Sequence, residues 1–157
     1  MRDKRFVAEH MGGPLKLEQH RLLIEWACNC TKHVLSLGGE MTDERIKKAL
    51  IVAEAWKDGN ASAGDARKAS VGAIAAANQL TDPVSVAIAR SAGHAVAAAH
   101  MADHSLGAAL YALKAVKIAG RSVREERIWQ NEYLPGEIKE LVLTSRAAKE
   151  KSFKLQL

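Results

Sequence analysis

The sequence predicts an all-α fold, a compact bundle of six or seven helices packed as antiparallel hairpins around an alanine-rich core. Apolar residues recur every three or four positions, which is the spacing of one helix face. Alanine, the strongest helix former, dominates between residues 61 and 119, whereas aromatic residues make up only 4% of the chain. No run of alternating β-branched residues indicates a strand. We expect close helix contacts through six small side chains: Ala69, Ala73, Ala92, Ala95, Ala99 and Ala108.

The 157 residues are the length of one domain. We expect an N-terminal arm over residues 1–14, a single helical domain over 15–145 and a basic C-terminal tail over 146–157. The arm is polar, and Phe6 and Val7 are expected to hold it against the body.

Capping residues and turn residues predict the first four helices. The first runs from about Leu15 to Leu37 and ends at Gly38-Gly39. Thr42 or Asp43 caps the second, which runs to about Lys57. The third covers about 62–80, and Pro83 opens a fourth that reaches Met101.

The second half of the chain predicts a corner and three further helices. Residues 102–105 are interpreted as a corner, because an unbroken helix to Ala119 would be unusually long. A fifth helix covers 106–119, and Ser122 caps a sixth that ends near Tyr133. A short seventh helix carries Ile138, Leu141 and Val142, and the tail is expected to fray from Arg146. Three tryptophans are expected to be largely buried: Trp26, Trp56 and Trp129.

Composition excludes several functional classes. The net charge of +5 is mild for a nucleic-acid binder, so a nucleic-acid partner is not expected. No apolar stretch is long enough for a membrane span, and no apolar leader follows the charged start. Two cysteines, Cys28 and Cys30, do not form a disulfide framework. These observations favour a cytoplasmic protein.

Three of the six histidines lie between His94 and His104. On a helical wheel centred on His100, Asp103 lies about 60° to one side and His104 about 40° to the other. These three side chains therefore share one arc, and imidazoles with a carboxylate suit a divalent metal. His94 lies about 120° away and joins them only if the chain bends. The candidate binding residues are therefore His94, His100, Asp103 and His104. The simpler alternative is structural: Asp103 caps a helix, and the histidines pack at a crowded corner.

Two other patterns have simple structural interpretations. Cys28-x-Cys30-x-x-His33 resembles a ligand set, but helical residues two apart project about 200° from each other, so core packing is favoured. Lys114, Lys117, Arg121 and Arg124 form a basic stripe only if the helix continues through Gly120. The stripe is interpreted as a solvated face, with an acidic protein partner as the alternative.

Several segments resemble the bacterial and archaeal "putative immunity protein" family. The resemblance runs from about Arg5 to Leu143 and is most specific over Gly93–Leu113. The matching segments are Glu18-x-His20-Arg21-x-Leu23, Trp26-Ala27-x-x-Cys30-x-x-His33-Val34-Leu35, Ala53-x-Ala55-Trp56, Gly93–Leu113, Arg127-x-Trp129-Gln130 and Leu134-Pro135-x-x-Ile138.

The resemblance implies an all-helical protein that neutralises a toxin by binding it, and it supplies no catalytic residues. Two alternatives stay open: a metal-dependent or histidine-based enzyme centred on His94–His104, and a self-associating helical scaffold. A toxin-binding protein is expected to need no cofactor. The enzyme hypothesis would involve a divalent metal, and the scaffold hypothesis would involve a homo-oligomer.

Overall fold

The computed structural model describes residues 2–39 and 43–157, which form seven α-helices and no strand. Short 3₁₀ turns cover Lys4–Phe6, Glu9–Met11 and Leu35–Gly38. The all-α prediction is confirmed. The helices are α1 (Leu17–Val34), α2 (Glu44–Lys57), α3 (Ala63–Gln79), α4 (Pro83–Ala97), α5 (His104–Ile118), α6 (Val123–Glu132) and α7 (Gly136–Ser152).

Helix starts follow the predicted capping residues. The side chain of Ser62 accepts a hydrogen bond from the backbone N–H of Asp65, and the Asp65 carboxylate accepts one from the N–H of Ser62. The Asp43, Asp82 and Ser122 side chains likewise accept hydrogen bonds from backbone N–H groups of α2, α4 and α6. Thr42, the alternative cap of α2, lies outside the described residues.

Consecutive helices from α2 to α5 pack against one another, α1 packs against α2, α4 and α5, and α6 and α7 pack against α5. All six alanines predicted at helix contacts are buried. Buried hydroxyls connect the helices, because a small-residue core brings backbones close enough for side-chain bonds to carbonyls. Ser91 Oγ donates to the carbonyl of Ala108 at 2.7 Å and lies 2.7 Å from Thr31 Oγ1.

The N-terminal arm is held to the body by burial and backbone hydrogen bonds. Phe6 and Leu15 are buried. The Leu15 N–H donates to the carbonyl of Val7 at 3.0 Å, and the Glu9 N–H donates to the carbonyl of Leu15 at 2.8 Å. Phe6 therefore anchors the arm, as the sequence predicts.

The corner between α4 and α5 comes earlier than predicted. Helix α4 ends at Ala97 rather than Met101, and turns occupy residues 98–103. The buried His20 ring explains this end, because its Nε2 lies 2.6 Å from the carbonyl oxygen of Ala98. A carbonyl left free at a helix end needs such a partner.

The prediction of a short seventh helix and a tail frayed from Arg146 is wrong, since α7 continues to Ser152. Arg146 is buried, and its guanidinium donates to Asn131 Oδ1 at 2.6 Å and to Gln130 Oε1 at 3.3 Å. This tie to α6 extends the helix. Among the described residues, no helix is long and apolar enough to cross a membrane.

The three tryptophans differ in burial. Trp26 is buried, and its Nε1–H donates to the carbonyl of Gln130 at 2.9 Å. Trp56 and Trp129 are partly buried. The prediction that the three tryptophans are largely buried holds fully for Trp26. Trp56 packs against the edge of the core, and the rings of Trp56 and Trp129 also contact histidine rings.

Candidate functional site

The bend between α4 and α5 brings His94 to His104. Their Nδ1 atoms lie 3.0 Å apart, so one nitrogen donates its proton and the other accepts it. The sequence placed His94 outside the cluster unless the chain bends, and the six-residue turn supplies that bend. His94, rather than His100 or Asp103, is thus the hydrogen-bond partner of His104.

Aromatic rings and a glycine enclose the His94 ring. The ring centroids of Tyr111 and Phe153 lie 5.2 and 5.4 Å from that of His94. A Cβ atom on Gly107 would lie 2.6 Å from His94 Nδ1, so the helix backbone approaches the imidazole where only glycine fits. The pair belongs to a tightly packed corner.

His100 and Asp103 diverge from the pair. The His100 ring centroid is 5.9 Å from that of His104, and Asp103 Oδ2 accepts a hydrogen bond from Lys149 Nζ at 3.2 Å. Asp103 Oδ1 and His100 Nδ1 are buried and have no hydrogen-bond partner within residues 2–39 and 43–157, and the Asp103 side chain does not cap an N–H of α5. In the part of the chain that the structure describes, no three His, Cys, Asp or Glu side chains are arranged to hold a metal ion.

The histidines of this corner are held in the neutral form. Burial lowers the pKa of His94 to about 4, and the positive charges of His104, Lys149 and Arg90 add to that effect while Asp103 opposes it. Burial is also the largest cause that lowers the pKa values of His100 and His104. Neutral imidazoles suit the His94–His104 hydrogen bond, which requires an unprotonated acceptor nitrogen.

A second cluster, which the sequence does not reveal, joins the end of α1 to α6. The His33 Nδ1–H donates to Glu126 Oε2 at 2.6 Å. The His33 ring stacks on Trp129 with centroids 3.6 Å apart and an angle of 3° between the planes, and Tyr133 stacks on Trp129 at 4.5 Å. We call His33, Trp129 and Tyr133 the ring column.

The ring column borders an open cleft of about 800 Å³, lined by residues of α1, α5, α6 and their connections, including His33, Trp129, Glu126 and Arg121. The His33 side chain is 39% exposed, and Tyr133 is 56% exposed. The helix breaks at Gly120, whose φ is +75°. The basic stripe is therefore not continuous, because Lys114 and Lys117 lie on α5 and Arg121 lies beyond its end.

Cys28 and Cys30 are buried and free. Burial raises the pKa of the Cys28 thiol to about 12 and the pKa of Cys30 as well, so neither is a reactive thiolate. Their packing role agrees with the sequence. His33 does not share it, since its ring faces the cleft.

The family model described as "Imm-5 like putative immunity protein" matches residues 13–137. The chain belongs to this family. No curated protein and no solved structure matches the chain. The ring column and the His94–His104 pair lie within the residues that the family model covers, whereas Lys149 and Phe153, which pack on the corner from α7 and its end, lie beyond them.

Proposed function

We propose that the chain neutralises a toxin protein by binding it, with the ring column as the centre of the contact. The observation that carries this proposal is a set of stacked, half-exposed rings beside an open cleft on a protein of an immunity family. Tryptophan, tyrosine and arginine are the residue types that dominate binding energy at protein interfaces. Trp129 and Arg121 line the cleft, and Tyr133 stacks on Trp129 beside it.

Charge favours an acidic partner surface. The chain carries a net charge of +5, and Arg121 and Arg124 are exposed near the ring column. Opposite charge on a partner would speed association and favour this orientation over others. Of the two glutamates that line the cleft, Glu126 does not oppose it, because its carboxylate is largely buried and paired with His33, whereas the exposed Glu125 offsets part of the positive charge.

The support beneath the ring column is rigid. Gln130, the residue after Trp129, is buried. The side-chain Nε2–H of Gln130 donates to the backbone carbonyl of Ala109 at 2.9 Å, and the backbone carbonyl of Gln130 accepts a hydrogen bond from Trp26 Nε1. Helix α6 is thus fixed to α1 and α5, so little side-chain order has to be gained on binding.

The histidine corner is a second proposed contact with the same partner, through His94, His100, Asp103 and His104. His100 is partly exposed and makes no hydrogen bond to His94 or His104, and its buried Nδ1 has no partner among the described residues. The enclosed His94–His104 pair would then position His100 rather than touch the partner.

The test first captures a binding partner from lysate and then asks whether the chain protects cells from that partner. The tagged chain is incubated with host lysate beside the variant Tyr133→Ala, and Leu143→Ala serves as the control, because Leu143 is an exposed apolar residue on α7. We expect one protein to be retained by the wild type and the control and lost with Tyr133→Ala. Expressed alone, that protein should arrest growth, and co-expression of the chain should restore it. Captured proteins that leave growth unaffected would contradict the proposal.

A further inference from the structure

Helices α2 and α3 enclose a shallow groove of about 390 Å³. Val52, Ala69 and Gly72 form its apolar floor. A Cβ atom on Gly72 would meet no atom within 4 Å, so the floor is open above α3. The groove lies along two neighbouring helices and has room for another extended element.

Large aliphatic side chains are exposed on the outer faces of both helices. Ile51 on α2 is 66% exposed and Val71 on α3 is 67% exposed. Each lies one residue from a groove-lining position, Val52 or Gly72, so its side chain projects about 100° around the helix from the groove, beside its rim. Exposed aliphatic side chains grouped around a groove indicate a contact surface more strongly than isolated ones do.

The rims of the groove are basic. Lys48 and Lys68 line opposite sides and have no ion-pair partner within the described ranges 2–39 and 43–157. Arg45 is neutralised by Asp43 at 2.9 Å, and the Asp65 carboxylate is engaged in the cap of α3. Asp65 keeps its negative charge and offsets part of the charge of Lys68, so Lys48 and Lys68 together leave the groove with a net positive charge.

We propose that the α2–α3 groove binds an acidic amphipathic helix of a partner protein. Its apolar face would cover Val52, Ala69 and the flanking Ile51 and Val71, and its carboxylates would pair with Lys48 and Lys68. This is the helix-in-groove mode, in which residues at helical spacing anchor in an apolar groove. The inference does not depend on the toxin or on the ring column.

The probe is a labelled designed peptide of about five helical turns, with leucines on one face and glutamates beside them. A second peptide has the same composition in shuffled order, and a third carries lysine in place of glutamate. Binding is followed by fluorescence anisotropy. We expect only the first peptide to bind, and we expect added salt to weaken it.

Two double variants locate the site. The double variant Lys48→Glu with Lys68→Glu should bind the acidic peptide at least about tenfold more weakly than the wild type does, and it should bind the lysine peptide. Lys139→Glu with Lys151→Glu changes the net charge equally on α7, where both lysines are exposed, and should have little effect. Ile51→Ser with Val71→Ser should weaken binding without altering the circular dichroism spectrum.

Three results would overturn the inference. The shuffled peptide could bind as tightly as the amphipathic one, or the α7 variant could lose as much affinity as the groove variant. The chain alone could instead form a dimer in sedimentation that Val71→Ser abolishes, which would assign the groove to a second copy. Failure of this test leaves the ring column untouched, since none of these substitutions lies in it.

Discussion

His94 and His104, ten residues apart in sequence, share a hydrogen bond of 3.0 Å between their Nδ1 atoms across the corner of α4 and α5. The bond needs one protonated and one unprotonated Nδ1. Protonation of His94 would place a buried cation near Lys149 and Arg90, and protonation of both rings would leave the bond without an acceptor nitrogen.

Stability should fall in mild acid. The folded-state pKa of His94 is about 4, below its ordinary value of 6.5. Between those values the unfolded chain binds a proton that the folded chain does not, so the free energy of unfolding decreases as the pH falls through that range. Above about pH 6.5 this contribution is fully present. Each such proton adds a slope of about 1.4 kcal/mol per pH unit, and His20, His100 and His104 shift in the same direction.

Urea unfolding from pH 4 to 7 measures this slope. His94→Asn keeps an acceptor near the Nδ1 position and removes the titrating ring, so we expect its slope to be smaller by up to about one proton. Lys139→Asn, at an exposed position on α7, is the control. An unchanged slope for His94→Asn would contradict the assignment of the acid sensitivity to this pair.

Two glycine substitutions should act in opposite directions. Gly107→Ala forces the His94 ring to move, because the new Cβ would lie 2.6 Å from Nδ1, and we expect it to destabilise the fold by about 1–3 kcal/mol. Gly72→Ala meets no atom within 4 Å inside a helix, and should stabilise the fold by about 0.5–1 kcal/mol. Chemical denaturation of both variants checks the packing, and equal effects of the same sign would refute it.

Glu126→Gln should destabilise the fold by about 1–3 kcal/mol, because it exchanges a largely buried, charge-assisted hydrogen bond to His33 for a weaker one. Glu132→Gln, at the exposed end of the same helix, should change stability by no more than about 0.5 kcal/mol. Denaturant unfolding compares the two. An equal loss of unfolding free energy in both variants would show that the His33–Glu126 hydrogen bond does not stabilise the fold.

Local signals in the sequence predict where the helices start but not where each one ends. Caps at Asp43, Ser62 and Ser122 and the proline at Pro83 are short-range features, and the structure places helix starts beside each. The end of α4 was misplaced because it depends on His20, which is 78 residues away from Ala98. The length of α7 was missed for the same reason, since Arg146 is stabilised by side chains of α6.

The candidate site was only partly accessible to sequence reasoning. The density of histidines at His94–His104 marked the corner, but a straight helical wheel could not show which pair would meet after a bend. The ring column gave no such signal, because His33 and Glu126 are 93 positions apart. Trp129 stood in a segment that resembles the family, yet its stacking on His33 needed the tertiary fold.

The corner has its own test, His100→Ala, which leaves the His94–His104 hydrogen bond in place. If the corner contacts the partner, this variant should bind it more weakly while its melting temperature changes little. If the corner serves packing alone, melting should fall and partner affinity should stay the same. Parallel thermal and binding measurements on one preparation separate the two outcomes.

The most direct test of toxin binding through the ring column is calorimetric titration of the captured, purified toxin into the wild type, Trp129→Leu and Tyr133→Ala. We expect each substitution to weaken binding by at least about 2 kcal/mol, about thirtyfold in Kd, because interface tryptophan and tyrosine carry contributions of this size. Tyr133 is more than half exposed, so Tyr133→Ala should keep the wild-type melting temperature. Unchanged affinity of the folded Tyr133→Ala and Trp129→Leu proteins would contradict the claim.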